Sequence, residues 1–420
     1  MQVPKRILTG RGIVLKLWPM EELVKDSNAT ERSWLDAWHV HPSVNPEYAL
    51  VDGLRGIAIL TVLIGHQLYV NAKFCTSAWG RFLYYFINPG FGVTIFFALS
   101  GFLISLPFWK LKIQGGGDVV PRGYGWRRFW KIYPPLALSI VFFAAVGFWR
   151  SGDSVYGAAA FKWLAGWPLL FEVPGKLNSV MWSLAVEVQF YLVLPLLFLG
   201  LRRTTAGQCR WLLLLSFTLV PNLIHWMCYG GERVLLSPNV VTHFPANLDS
   251  FAFGILIAGL ECQRLLRPSH ARLGDLGFVL LVLAFAVSAW GELQSSSVVL
   301  FREVARWGAM AASGLMILYV ADSRHPRSRL LCAPWLRWCG LVSYELYLFH
   351  QPQLLWAREL FGRPQEDPAK LLILLVGNTI AALMVAAVIY HFFSLPILRF
   401  GRNRRSALVS ELSLKGSRRE

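Results

Sequence analysis

The stretch VDGLRGIAILTVLIGHQLYV, residues 51–70, decides the fold. It has the length and aliphatic content of a helix that crosses the hydrocarbon core of a bilayer, about 20 residues. Yet it carries Asp52, Arg55 and His66, and ionisable groups at membrane depth are costly. Eleven residues separate Arg55 from His66, a rotation of about 20° beyond three whole turns and about 16 Å along a helix axis. Asp52, three residues before Arg55, shares that face. One reading has Asp52 and Arg55 snorkelling to the interface while His66 serves as packing glue. Three aligned ionisable groups favour the other: a polar stripe facing a site or a water-filled cavity.

The rest of the chain has the same character. Of 420 residues, 55% are hydrophobic and 14% aromatic, with 18 tryptophans and a positive mean hydropathy. That is too apolar for a soluble protein of this length. The fold class expected is all-α, a polytopic membrane protein with about ten transmembrane helices near 51–70, 90–109, 133–149, 180–201, 211–229, 247–262, 275–291, 304–321, 338–357 and 371–397. The segment 247–262 is short, and 158–172 reads as an interfacial or re-entrant element. A net charge of +17 does not signal nucleic acid, because the basic residues sit between apolar segments and not on one soluble face. With the N-terminus inside, the inside connections hold 23 Lys and Arg against about ten outside, which places both termini in the cytoplasm of a cell-membrane protein.

Three domains follow: a cytoplasmic arm over 1–50, a transmembrane domain over 51–397 and a short basic tail over 398–420. The arm contains "GIVLKLWPMEELV", able to lie on a membrane surface. It has no cleavage-site pattern, so the first span is expected to act as its own targeting signal. The six cysteines are scattered without metal or disulfide spacing, and no metal is expected.

Four further stretches carry chemistry. In "GFGVTIFFALSGFLIS", residues 90–105, Gly92, Ser100 and Gly101 let another helix approach closely. The loop ending in "WRRFWKIYPP", residues 126–135, is either a positive-inside cluster with a tryptophan belt or a grip in which Arg127, Arg128 and Lys131 hold the phosphates of a cytosolic cofactor. "NSVMWSLAVEVQFYLVLPLL", residues 178–197, buries Glu187 one turn after Ser183, with Arg55 or His66 as the expected partner. "LVSYELYLFHQPQLLW", residues 341–356, carries Glu345, Tyr347 and His350. His350 rivals His66 as the catalytic histidine; Trp182, Ser183, Tyr347 and His350 are otherwise expected in structural or gating roles. His225, His243 and His391 have no aligned partners and read as structural. His66 is the natural proton-transfer group, since an imidazole accepts a hydroxyl proton near neutral pH and returns it.

Together with "LDSFAFGILIAG", these motifs resemble, in order from about residue 51 to 397, the acyltransferase family 3 membrane proteins, which O-acetylate bacterial surface polysaccharides and related acceptors. The resemblance implies a ten-helix enzyme using an acyl-CoA donor, commonly acetyl-CoA, on the cytoplasmic side. It implies that His66 is the catalytic histidine and Arg55 the essential arginine. The family's R-x-x-R falls on Arg128 and Lys131, so the second fork becomes an ammonium. Where many relatives show a Glu-x-Pro-like element, this chain has Ser394. Some relatives carry a fused hydrolase-like domain, for which the short tail is expected to leave no room. On this reading His66 deprotonates an acceptor hydroxyl, Arg55 with Asp52 and Glu187 orients the donor or His66, and the acceptor is a carbohydrate or lipid-linked glycan of the cell envelope. The rival is a proton-coupled transporter using the same residues, whose two related halves are not found in the sequence.

Overall fold

In the computed structural model, the residues described are 49–71, 85–115, 117–166, 177–229, 244–293, 298–321, 325–362, 367–401 and 403. The amphipathic stretch of the N-terminal arm, His243 and most of the basic tail lie outside them. The described residues form helices and no strand. In chain order the α-helices are α1 (Ala49–Asn71), α2 (Pro89–Gln114), α3 (Tyr124–Ser151), α4 (Val155–Leu164), α5 (Trp182–Gly200), α6 (Ala206–Tyr229), α7 (Leu248–Cys262), α8 (Leu273–Leu293), α9 (Val298–Ile317), α10 (Pro326–Leu331), α11 (Pro334–Leu341), α12 (Ser343–Phe361) and α13 (Pro368–Ile389).

All ten apolar segments read from the sequence are helical. Six helices among the described residues are long and apolar enough to cross a membrane: those at Leu50–Asn71, Pro89–Gln114, Tyr124–Ser151, Ser179–Gly200, Ser269–Gly291 and Ala369–Gly401. This is a multi-pass membrane protein; about ten spans were expected, and six helices among the described residues have that length and apolarity. The segment 247–262 became the 15-residue α7, about 22 Å long and short of a full crossing. The segment 338–357 is broken at Val342, between α11 and α12.

Local chemistry fixes the ends of the helices that build the site. Asn88 caps α2, its side-chain oxygen accepting from the Gly90 N–H at 2.9 Å, with Pro89 in the first turn, where a missing N–H costs nothing. At the other end Gly115 takes φ 73°, a left-handed cap, and its N–H returns to the Leu111 carbonyl. Lys112 donates to the carbonyls of Leu201 (2.7 Å) and Thr204 (2.9 Å), placing a cation just past the C-terminal end of α5. Asp367 caps α13 through the N–H groups of Ala369 and Lys370.

The helices cross at glycines. A Cβ on Gly340 of α11 would stand 1.8 Å from the Asp52 carbonyl oxygen of α1, and one on Gly254 of α7 would stand 1.9 Å from that of Ala98 in α2. Gly92 and Gly101 do what their sequence context predicted, facing Ala58 and Phe251 at contact too close for any side chain. Trp109, fully buried, adds a hydrogen bond from its indole to the Ile255 carbonyl at 3.0 Å, tying α2 to α7. The contacts of Gly65 with Ile87 and Pro89, and of Gly92 with Ala58 and Val62, make α1 and α2 antiparallel. Arg55 therefore stands well down α2 from its N-terminus, whereas His66 stands level with that end.

Candidate active site

A cavity of about 590 Å³ runs along α2 from Lys110 and Pro107 to Val93, between α1, α3, α5 and α12. Seventeen residues of helix separate Val93 from Lys110, so the cavity extends over about 26 Å. Its cationic end is lined by Arg55, Lys110, Arg127, Arg128 and Lys131. The stretch "WRRFWKIYPP" is helical and not a loop as expected: α3 already begins at Tyr124. Arg128 and Lys131, at i and i+3, thus share a face. Pro134 and Pro135, inside α3, have no N–H to offer the carbonyls four residues earlier. Arg128 also lies over the Tyr191 ring, 5.6 Å from its centroid.

Arg55 donates to the Ser343 hydroxyl at 3.0 Å, a link from α1 to the first residue of α12. The Nε atoms of Arg55 and Arg128 are buried without a hydrogen-bond partner among the described residues. Buried donors of this kind are normally satisfied, and in a cavity wall they fit an acceptor brought in by a ligand.

Glu187 also lines this cavity. It accepts hydrogen bonds from the hydroxyls of Ser100, at 2.6 Å, and of Tyr191. These hydroxyls, and not the expected Arg55 or His66, are its hydrogen-bond partners. Its helical neighbour Ser183 lies one turn away, as predicted, and meets the Tyr347 hydroxyl at 2.5 Å. Ser183, Tyr347, Phe96, Phe97 and Val93 form the inner, apolar end. Asp52 is not among the lining residues; at its position α1 meets Gly340 of α11.

The two histidines that the sequence set against each other form a pair. His350 Nε2 is 3.2 Å from His66 Nδ1. His350 Nδ1 lies 3.1 Å from the Leu346 carbonyl and 2.9 Å from that of Tyr347. A ring nitrogen facing two carbonyl oxygens carries the proton, so in the neutral ring Nε2 of His350 is an acceptor. His66 Nδ1, which also lies 3.0 Å from the Val62 carbonyl, is then the donor of the pair. The remaining nitrogen of His66, Nε2, keeps its lone pair. The hydrogen-bond partners thus assign the tautomer of a general base. His350 is buried, and its ring centroid is 5.9 Å from that of Tyr347, a residue of the inner end; neither histidine of the pair is itself among the residues lining the cavity.

Sequence spacing gave no sign of the Ser100–Glu187 contact, the Arg55–Ser343 bond or the histidine pair, since each joins separate helices; Tyr191, one turn after Glu187 on α5, was within reach of such spacing and was missed. His225 likewise has a partner from another helix, Glu303 of α9, with Nδ1 to Oε1 at 3.0 Å.

The family model described as an acyltransferase domain matches residues 48–391. Among curated proteins, the chain is 25% identical over 387 residues to the peptidoglycan O-acetyltransferase OatA of Listeria monocytogenes, covering 84% of this chain and 56% of that protein. It is 23% identical over 389 residues to the O-acetyltransferase OatA of Staphylococcus aureus strain NCTC 8325, covering 84% of this chain and 57% of that protein. The chain spans about half the length of these relatives. No solved structure matches it significantly.

Proposed function

The chain belongs to the family of that acyltransferase domain, and from this premise we propose that it moves an acetyl group from acetyl-CoA to a hydroxyl of a cell-envelope glycan. The observation that carries the proposal is the run from a cationic mouth to an apolar inner end beside a histidine pair. The names of the relatives, both O-acetyltransferases and one acting on peptidoglycan, support the reaction and the acceptor class.

In this reading Lys110, Arg127, Arg128 and Lys131 hold the donor's phosphates, where guanidinium and ammonium groups are charge-assisted donors. The long cavity takes the extended arm of the donor, and the thioester reaches the level of Ser183 and Tyr347. His66 Nε2 accepts the proton of the acceptor hydroxyl while its oxygen bonds to the thioester carbonyl carbon. The tetrahedral adduct collapses with cleavage of the C–S bond, and the leaving thiolate takes the proton from the His66 imidazolium. His350 holds His66 in the required tautomer, and Arg55, fixed by Ser343, orients the donor.

The test uses purified protein reconstituted in lipid, acetyl-CoA labelled with carbon-13 in the acetyl group, and a panel of peptidoglycan fragments and polysaccharides. Expected is release of free thiol matched by a labelled acetyl ester on a glycan, read by mass spectrometry. Thiol release without ester on any glycan would reject the acceptor class. No thiol release at all would reject the donor.

A further inference from the structure

A second cavity, of about 260 Å³, opens at the N-terminal end of α2, between α2, α5, α6, α8 and α9. It is built differently from the first. Glu303 is shared between His225 Nδ1, at 3.0 Å, and Arg306, whose Nε donates at 2.9 Å. Arg306 goes on to bind Asp249 and the side-chain oxygen of Asn222, the latter at 3.1 Å. The two carboxylates of this cluster, Glu303 and Asp249, share the Arg306 guanidinium, with the His225 imidazole also against Glu303, whereas the first cavity gathers cations around one carboxylate. Arg302 and the amide of Asn88 add further polar groups to the lining, and Trp182 supplies an aromatic wall. A charge-balanced set of carboxylate, guanidinium, imidazole and amide groups beside an indole suits a neutral ligand rich in hydroxyls, which needs both donors and acceptors and presents apolar ring faces.

The position of this cavity ties it to the chemistry. Thr94 lines it and Val93 lines the first cavity; Trp182 lines it and Ser183 lines the first. Trp182 packs edge-on against Phe97 of the first cavity, ring centroids 6.3 Å apart, so one aromatic contact partitions the two spaces. Sixteen residues of α2, about 24 Å, separate Thr94 from Lys110 at the cationic mouth. His66 stands at the depth of Pro89, where the second cavity opens, because its neighbour Gly65 packs on Ile87 and Pro89.

We propose that this second cavity is the acceptor site: it binds a sugar unit of the glycan from the end of the molecule opposite the donor's phosphates. Glu303 and Arg306 hydrogen-bond its hydroxyls, and Trp182 separates it from the donor until transfer. The proposal rests on the acyltransferase reading above.

Its test is acceptor kinetics with oligomers of N-acetylglucosamine as probe, beside direct titration of the same probe onto the lipid-reconstituted protein without donor. Glu303→Gln removes the charge from the carboxylate with little change of shape. Asn88→Asp keeps the helix cap, because aspartate caps as well as asparagine, while it replaces an amide donor with a charge and so guards against a trivial folding defect. Both are expected to raise the acceptor KM and the probe's Kd about tenfold or more, the effect of losing a charged or well-placed hydrogen bond, while the donor KM moves less than about twofold. An unchanged acceptor KM and Kd in both variants would overturn the site. If the wild-type protein transfers acetyl to another glycan and does not bind this probe, a site for N-acetylglucosamine is rejected while the acyltransferase reading stands. If it consumes no donor at all, the failure lies in that reading.

Discussion

The two cavities flank the same helix and use the same residue types, yet they arrange charge in opposite ways. In the first, Glu187 is held by the hydroxyls of Ser100 and Tyr191, so the charges of Arg55, Lys110, Arg128 and Lys131 in the same wall are not spent on hydrogen bonds to it. In the second, Glu303 and Asp249 each meet Arg306, and His225 completes the set. Hydroxyls keep a buried carboxylate hydrogen-bonded without spending a cation, and the field of the surrounding guanidinium groups stays outward-looking. Ion pairs spend the cation, and what remains is geometry: a fixed pattern of donors and acceptors. One arrangement selects ligands by charge, the other by shape and hydrogen bonding.

The sharpest way to break this division is at the histidine pair between the two ends. His66→Ala is expected to lower kcat by about 10²–10⁴-fold, the range for loss of a general base. His350→Ala is expected to lower it by less, because Nδ1 of His66 still has the Val62 carbonyl 3.0 Å away to hold its proton. The double variant should be no slower than His66→Ala alone, since His350 acts only through His66. Kinetics of all three with one donor and one acceptor decide it. A double variant slower by a further factor of ten would give His350 chemistry of its own.

A second variant tests the cationic end alone. Arg128→Ala is expected to raise the donor KM about 10- to 100-fold by removing a charge-assisted contact to phosphate. The defect should shrink as ionic strength rises, because screening ions at the open cavity mouth weaken the contact that only the wild type makes. The acceptor KM should stay within about twofold, being set about 24 Å away along α2. A parallel rise in acceptor KM would show the two cavities to be one site.

How much of this was legible in the chain follows from where each interaction lies. The 51–70 helix, the glycine contacts and the Ser183 to Glu187 turn are local periodicities, and they appear in the structure as read; of the polar stripe only Arg55 lines the cavity. Arg127, Arg128 and Lys131 stand out in sequence as clustered cations beside aromatics; that they lie on a helix was missed, since the apolar run that marks the span starts only near 133 while the helix starts at Tyr124. The partners were not legible. His66 to His350 spans 284 residues and Arg55 to Ser343 spans 288, and no spacing rule reaches that far. The second cavity was invisible for the same reason: His225 looked solitary because Glu303 and Arg306 belong to another helix. Asp52 shows the opposite failure. It shares the predicted face with Arg55, but α11 packs against α1 there, so alignment with the stripe did not place it in the cavity wall.

The mildest test asks what kind of contact the cationic end makes. Lys131 stands where the family resemblance gives an arginine, and it shares a helical face with Arg128. An ammonium offers a point charge, a guanidinium a planar fork that grips two phosphate oxygens at once. If Lys131 contributes charge alone, Lys131→Arg should change the donor KM by no more than about threefold, under 1 kcal/mol, and leave kcat as it was. A fall in donor KM beyond that would mean the fork finds a second phosphate oxygen, and the site would then prefer the family's arrangement. A rise beyond tenfold would mean the wall shared with Arg55 and Arg128 has no space for a third guanidinium, and that lysine is there because it is smaller. Donor KM measured at low and high ionic strength separates these outcomes, since a point charge weakens with salt more steeply than a bidentate hydrogen-bonded contact.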